Sequence, residues 1–318
     1  MIHAQNLLRR FRVGDETVEA VRGVDIDVVP GEVVAFLGPN GAGKSTTLRM
    51  LTTLLAPSDG RATVAGHDIA RDPVAVRGRI GHVGQGNGSY DGLRAREELY
   101  TQARLYGLQR RSARARTSEL LDQLQLTAQA DRDVARLSGG QRRRLDVAMG
   151  LIHQPPLLFL DEPSAGLDPH SRSNLWEHVG RMRDEHDTTI FLTTHYLDEA
   201  DSVAERVIVI DHGRIIADGT PDQLKAKVSG DLVTIELVDA VDTAAPTAVA
   251  ERVPTAHEVA GDGAVVSFRV AEGDTVIPQV VRALDAGGLR LRSTHVQRPT
   301  LDDVFLSLTG RSLRDEED

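Results

Sequence analysis

Cysteine is absent from the 318 residues, which excludes disulfides and thiolate metal sites and fits a cytosolic chain. Aromatic residues make up 3%, too few for a platform on which nucleic-acid bases could stack. The net charge of −10 repels nucleic acid at long range. No apolar run reaches the ~20 residues that a membrane-spanning helix needs. The opening Met1-Ile2-His3-Ala4-Gln5-Asn6 has no basic stretch followed by an apolar one. No secretory leader is therefore expected, and the chain should stay in the cytosol unless a partner holds it elsewhere. Lysine is nearly missing: it stands at 44, 225 and 227, and every other basic side chain is arginine. A chain that writes its positive charge as arginine yet keeps lysine at 44 points to a need for a compact ammonium there.

What is present suits two domains. Over the first ~225 residues strand and helix patterns alternate, which predicts an α/β layer fold. Strands are expected at Val33–Leu37, Arg79–Val83, Leu157–Leu160, Thr189–Thr193 and Arg206–Ile210. Helical composition runs from Ser45 to Leu55 and from Glu97 to about Gln129. Composition shifts near Ser229-Gly230, separating residues 1–228 from a small α/β domain over 229–310 and an acidic, disordered tail at 311–318. In the second domain Leu232–Val238, Ala264–Val270 and Leu289–Val296 read as strands, with Val266, Phe268 and Val270 on one face. Val276–Leu284 reads as a helix closed by Gly287-Gly288. Leu301, Val304, Phe305 and Leu308 fall at i, i+3, i+4 and i+7, the spacing of an amphipathic helix. Asp239–Thr247 is expected to be a loop inside this domain.

Gly38-Pro39-Asn40-Gly41-Ala42-Gly43-Lys44-Ser45 fits G-x-x-x-x-G-K-[ST] and lies between a buried strand and a helix. Its glycines let backbone N–H groups turn around phosphate oxygens, and the helix N-terminus adds partial positive charge. Lys44 should reach the β- and γ-phosphates of a nucleotide, and the Ser45 hydroxyl should ligate Mg²⁺. Leu157–Leu160 ends in Asp161-Glu162, so a buried strand delivers two carboxylates to the crevice beyond its carboxyl end. Asp161 suits Mg²⁺, as a ligand or just behind one, and Glu162 suits a general base acting on water. Read alone, the pair could be an exposed acidic turn before Pro163.

Ser138-Gly139-Gly140 precedes a helical stretch from Gln141 to about His153. Ser138 is a good N-cap, and the glycines allow close approach of an anion. The plain alternative is a helix cap followed by a solvated face of Arg142, Arg143 and Arg144. One nucleotide does not need two anion cradles from one subunit; a symmetric dimer, each subunit offering its second cradle to the other's nucleotide, resolves this. His195 follows the strand Thr189–Thr194 where a γ-phosphate sensor would stand, and Gln85 follows Val83-Gly84 by the same logic.

Taken together, these residues resemble the ATP-binding subunit of an ABC transporter. The loop Gly38–Ser45, Leu137–Gln141, Asp161-Glu162, Ser164–Asp168 and His195 match in order, over about residues 1–225. The resemblance implies a P-loop, RecA-like core with an antiparallel β subdomain and a helical subdomain over about 86–136. It implies that Thr46 binds nucleotide with the loop, that Gln85 links Mg²⁺ and water to the helical subdomain, and that Phe11 stacks on adenine. It implies that Ser138, Gly139, Gly140 and Gln141 meet the ATP held by the opposite subunit, with Asp168 acting across that interface.

The finer resemblance is to ATPases of daunorubicin-resistance type, carried by Gln141–Asp146 and by Arg298-Pro299-Thr300-Leu301-Asp302-Asp303-Val304-Phe305. It implies a homodimer on the cytoplasmic side of the membrane, bound peripherally through a separate membrane-spanning permease. Hydrolysis of ATP with Mg²⁺ would drive export of a drug-like or lipid-like substrate. A soluble ATPase of the same type acting on DNA or ribosomes is the rival. Such proteins usually carry a coiled-coil insertion or tandem cassettes, and this chain has neither; its acidity and scarce aromatics also disfavour nucleic acid.

Overall fold

The computed structural model describes residues 1–228, 230–238, 247, 248, 250, 253 and 256–310. The expected loop Asp239–Thr247, all but its last residue, and the acidic tail lie outside them. The chain divides into two compact units, Met1–Pro221 and Asp222–Asp318.

The first unit is built on a six-stranded sheet. In chain order its strands are β3 (Val33–Leu37), β6 (Ile80–Val83), β7 (Leu157–Asp161), β8 (Thr189–Thr194), β9 (Arg206–Asp211) and β10 (Arg214–Gly219). The spatial order is β10-β9-β3-β8-β7-β6, parallel except for the antiparallel edge strand β10. β3, β7 and β8 are buried at every position. Continuous apolar runs suit parallel strands covered on both faces. Phe191 on β8 packs between Phe36 on β3 and Phe159 on β7, with ring centroids 5.6 and 5.7 Å apart.

A second, antiparallel sheet has the order β2-β1-β4-β5, from β1 (Ile2–Val13), β2 (Glu16–Val28), β4 (Asp59–Val64) and β5 (His67–Asp68). Its inward residues, among them Ile2, Leu7, Val24 and Val28, share one core cluster with Phe36, Met50, Phe159 and Phe191. The helices of this unit are α1 (Lys44–Leu51), α2 (Pro73–Arg79), α3 (Ala95–Leu105), α4 (Arg110–Gln123), α5 (Gly139–Leu151), α6 (Pro169–His186) and α7 (Leu197–Val203).

Several local expectations need correction. The helix expected to run to Leu55 ends at Leu51, because the chain turns through a left-handed Thr53 at φ 63°. The stretch 97–129 is two helices, α3 and α4, broken at Gly107 with φ 83°, followed by a short 3-10 turn at Thr127–Gln129. Arg79 closes α2 and does not open β6.

The second unit begins with α8 (Pro221–Lys225), whose first residue closes the first unit. It carries a four-stranded antiparallel sheet of order β12-β13-β11-β14. The strands are β11 (Asp231–Leu237), β12 (His257–Asp262), β13 (Val265–Val270) and β14 (Leu291–Gln297). Val233, Ile235 and Leu237 alternate inward beside Val266, Phe268 and Val270. Val276, Val280 and Leu284 of α9 (Gly273–Ala286) cover them at the i, i+4, i+8 spacing of one helix face. β12 was not expected: only Val259 of its six residues is even half-buried, so it lacks the alternation that marks a strand. In α10 (Leu301–Thr309) Leu301, Val304 and Phe305 are buried, but Leu308 is 46% exposed, so the apolar stripe ends one turn early. Arg269 of β13 donates to Asp303 of α10 at 3.0 Å and to Glu258 of β12 at 3.1 Å.

Candidate functional site

The loop Gly38–Gly43 joins the buried end of β3 to α1. A Cβ at position 38 would lie 2.2 Å from the Ile210 carbonyl, and one at 43 would lie 2.6 Å from the Ala20 carbonyl. Gly41 and Gly43 also take φ values of 79° and 109°, which side chains rarely adopt. Close packing on β2 and β9 thus demands glycine here. Lys44, 4% exposed, turns back under the loop. Its Nζ donates to the Gly38 carbonyl at 2.6 Å and the Pro39 carbonyl at 3.1 Å.

Strand register assembles the opposite wall. Asp161 pairs with Thr193 across β7 and β8, and Leu37 pairs with Thr194 across β3 and β8. The ends of three parallel strands therefore stop at one level, beside the loop. Asp161 Oδ1 accepts from Ser45 Oγ at 3.0 Å and from Thr193 Oγ1 at 2.6 Å. The next residue, Glu162, takes a left-handed φ of 45°, and its N–H donates to Thr193 Oγ1 at 3.0 Å. That turn aims the carboxylate at the loop.

Three side chains converge on Glu162. His195 Nδ1 and Lys44 Nζ each lie 3.4 Å from Oε1, and Gln85 Nε2 donates to Oε2 at 2.8 Å. His195 first, then Gln85 and Lys44, hold its carboxyl down at about 2 against burial, which pushes it up. Glu162 is therefore ionised at any physiological pH, though only 7% exposed.

A cavity of about 250 Å³ opens between these walls, lined by loop residues between Pro39 and Thr46, by Ala20, and by Gln85 and Glu162. Its donors are backbone N–H groups and an ammonium, which suit phosphate oxygens. Among the described residues no group of three or more His, Cys, Asp or Glu forms a metal cage. The Ser45 hydroxyl, the Asp161 carboxylate and the Gln85 amide are instead hard oxygen donors. They suit a Mg²⁺ ion completed by phosphate and water, which rarely takes an all-protein cage.

The other expected residues lie outside this cavity. Ser138 caps α5: its Oγ accepts from Gln141 N at 3.3 Å, while Gln141 Oε1 accepts from Ser138 N at 3.1 Å. Ser138 and Gly139 are exposed. A Cβ on Gly140 would meet Ser171 Oγ at 2.8 Å, and Ser171 in turn donates its N–H and hydroxyl to Asp168, the N-cap of α6, at 3.0 and 2.6 Å. Ser171 thus lies close beside Gly140 while bonded to Asp168, a placement the sequence did not signal. Phe11 stands on β1 opposite Val18, with the Arg9 guanidinium 4.7 Å from its ring centroid.

The solvated arginine face does not exist as such. Arg143 is buried, Arg142 donates to the Ser89 carbonyl at 2.7 Å, and Arg144 donates to Asn174 at 2.6 Å. Arg143 shares its helix face with Val147 and Leu151, at i, i+4 and i+8, a spacing that marked it as inward-facing from the start. Thr193 had no such signal; its role comes from register alone.

Comparison with known proteins shows the family to which this fold and sequence belong. The sequence matches the ABC transporter family over residues 21–165 and the family described as ATP-binding protein DrrA1-3-like, C-terminal domain, over 219–309. It is 45% identical to the daunorubicin resistance ATP-binding protein DrrA3 of Streptomyces coeruleorubidus, covering 96% of this chain and 95% of that protein. It is 34% identical to the linearmycin resistance ATP-binding protein LnrL of Bacillus subtilis, over 99% and 100%. Among solved structures, the ATP-binding cassette MJ0796 in a dimeric post-hydrolysis state with ADP and Pi superposes with a TM-score of 0.64 at 25% identity, covering 69% of this chain and 98% of that one. A phosphate loop facing an acidic strand end, on a cassette fold followed by a DrrA-type domain, accounts for all of these matches: the chain belongs to the ATP-binding subunits of ABC transporters, in their drug-resistance branch.

Proposed function

We propose that this chain hydrolyses ATP with Mg²⁺ to drive export of a drug-like or lipid-like substrate through a separate membrane-spanning permease. The observation that carries the reading is the carboxylate of Glu162, held ionised beside the phosphate loop by Lys44, Gln85 and His195. The cassette is residues 1–228, with a helical subdomain at about 86–136, followed by a C-terminal domain at 229–310.

In the working site the loop amides from Gly38 to Ser45, together with Thr46, bind the phosphates, and the Lys44 ammonium exchanges the Gly38 and Pro39 carbonyls for the β- and γ-phosphates. Ser45, Asp161 and Gln85 hold Mg²⁺, which neutralises charge on the phosphate oxygens when bound. Glu162 aligns the attacking water and draws on its proton; as Lys44 turns to the phosphates, one cause of its low proton affinity is lost. His195 holds the γ-phosphate, and Phe11 stacks on adenine. Ser138, Gly139, Gly140, Gln141 and Asp168 are turned to the ATP of a second, identical subunit, consistent with the exposure of Ser138, Gly139 and Asp168.

Closure of that dimer on two ATP reorients the permease, and hydrolysis reopens it, a population shift reset by chemistry. Among the described residues no helix is long and apolar enough to cross a membrane, so attachment to the cytoplasmic face is assigned to the permease. The relatives' names point to different drugs, daunorubicin and linearmycin, so the proposal stops at substrate class.

The test is to purify the full chain and follow phosphate release from ATP with and without Mg²⁺, and to identify what co-purifies from gently solubilised membranes. Mg²⁺-dependent turnover and a multi-spanning protein at one-to-one stoichiometry support the reading. Recovery with nucleic acid or ribosomes, and no membrane protein, overturns the transport assignment.

A further inference from the structure

Arg143 of α5 is 7% exposed, and among the described residues its hydrogen bonds go to backbone carbonyls, with the charges of Asp146 and Asp161 nearby. Its guanidinium spends its donors on backbone carbonyls in two segments far apart in sequence. Nη1 donates to Gly84 at 2.8 Å and Gly86 at 3.4 Å; Nε donates to Pro163 at 2.6 Å; Nη2 donates to Asp161 at 3.1 Å and Glu162 at 3.4 Å. The first pair flanks Gln85, and the other three surround Glu162.

Both segments need such a restraint. Residues 84–86 follow β6 with no regular structure, so no strand or helix ladder fixes where Gln85 points. Glu162 sits at φ 45°, a conformation that a residue other than glycine keeps only when its surroundings impose it. The helix that carries Arg143 is itself firmly seated: a Cβ on Gly81 of β6 would lie 2.2 Å from the Gly150 carbonyl of α5. The guanidinium therefore reaches both segments from a fixed platform, with five N–H groups in one rigid plane.

We propose that Arg143 is a positioning residue for ATP hydrolysis: it clamps the carbonyls around Gln85 to those around Glu162, and so holds Gln85 Nε2 against the Glu162 carboxylate. The inference rests on the ATPase reading above. It predicts that the fork matters more than the charge. Lysine keeps the charge but has a single nitrogen, which cannot span two segments.

The experiment compares the full-length wild type with Arg143→Lys, Arg143→Gln, Gln85→Ala and the double variant Gln85→Ala/Arg143→Lys, measuring kcat and KM for MgATP and the thermal midpoint. Both Arg143 variants should lose kcat by roughly tenfold or more with KM within about threefold, the pattern of lost transition-state alignment. The double variant should fall no more than about twofold below the poorer single variant, because both changes break one alignment. Unchanged kcat in a folded variant, a raised KM at constant kcat, or losses that simply multiply would each overturn the clamp. So would failure of both Arg143 variants to fold, which would make the residue structural. If wild type itself releases no phosphate, the ATPase reading falls first. If wild type turns over and Glu162→Gln does not, while the Arg143 variants match wild type, only the clamp falls.

Discussion

Replacing Glu162 by glutamine exchanges a carboxylate for a neutral group of nearly the same shape, and the structure sets what that should do. The ordinary carboxyl value of 4.5 falls to about 2 here, with His195 as the leading cause, then Gln85 and Lys44. At about 1.4 kcal/mol per pH unit, the ionised form adds on the order of 3 kcal/mol to the folded chain. Because the folded value is the lower one, this stabilisation is complete above about pH 4.5, where the unfolded chain is already ionised, and is lost as pH falls toward 2. Glutamine mimics the protonated acid at every pH. Glu162→Gln should therefore be less stable than wild type by about 3 kcal/mol at pH 7, with the gap narrowing below pH 4.5 and closing near pH 2. Urea unfolding at pH 7, 5, 4 and 3 measures this, read by the fluorescence of Trp176, the only tryptophan, which is buried in α6 of the first unit. The same variant removes a negative charge beside the phosphate loop, so ATP binding should persist while kcat falls by roughly 10²–10⁴, the share of a general base. Equal stability at pH 7, or a gap that does not change with pH, would refute the electrostatic account. Undiminished turnover would refute the role in hydrolysis.

Ser45→Ala removes a hydroxyl that now donates to Asp161, so the Mg²⁺ concentration needed for half-maximal turnover should rise by roughly tenfold, measured by Mg²⁺ titration at fixed ATP. Gln85→Ala breaks the 2.8 Å bond to Glu162 and should lower kcat by about tenfold with little change in KM, read in a steady-state phosphate assay. In the second unit Gly230 has φ 77°, and a Cβ there would lie 2.1 Å from the Val270 carbonyl. Gly230→Ala should therefore destabilise that unit by roughly 2 kcal/mol or more, seen by calorimetry as an earlier transition; an unchanged thermogram would show that the backbone there relaxes freely.

Features that depend on covalent neighbours were legible in the sequence. The phosphate loop lies within eight consecutive residues, β7 is an apolar run ending in acid, and Ser138 caps α5 with the residue three positions on. The strands β3, β7 and β9 show in the sequence because burial leaves runs of four or more apolar residues, and β8 shows by Ile190-Phe191-Leu192 between threonines. Where burial is one-sided or absent, as in β12, the signal faded. The helical composition of 97–129 does not show the break at Gly107, which lies in backbone geometry while helix-forming residues continue on both sides.

By itself, then, the sequence determined the local chemistry: which residues can cradle a phosphate, end a buried strand in acid, or cap a helix. Only the tertiary structure decided which of them meet. Gln85 comes within reach of Glu162, 77 residues away, because the paired strands β6 and β7 end side by side at the edge of the sheet. Thr193 serves Asp161 because register sets β7 and β8 level. The spacing of Arg143 with Val147 and Leu151 turns it inward, but only the seating of α5 against β6 decides that its guanidinium lies between two loops. Such contacts depend on strand order and on the seating of helices, which arise from packing the whole chain and leave no mark on residues adjacent in sequence.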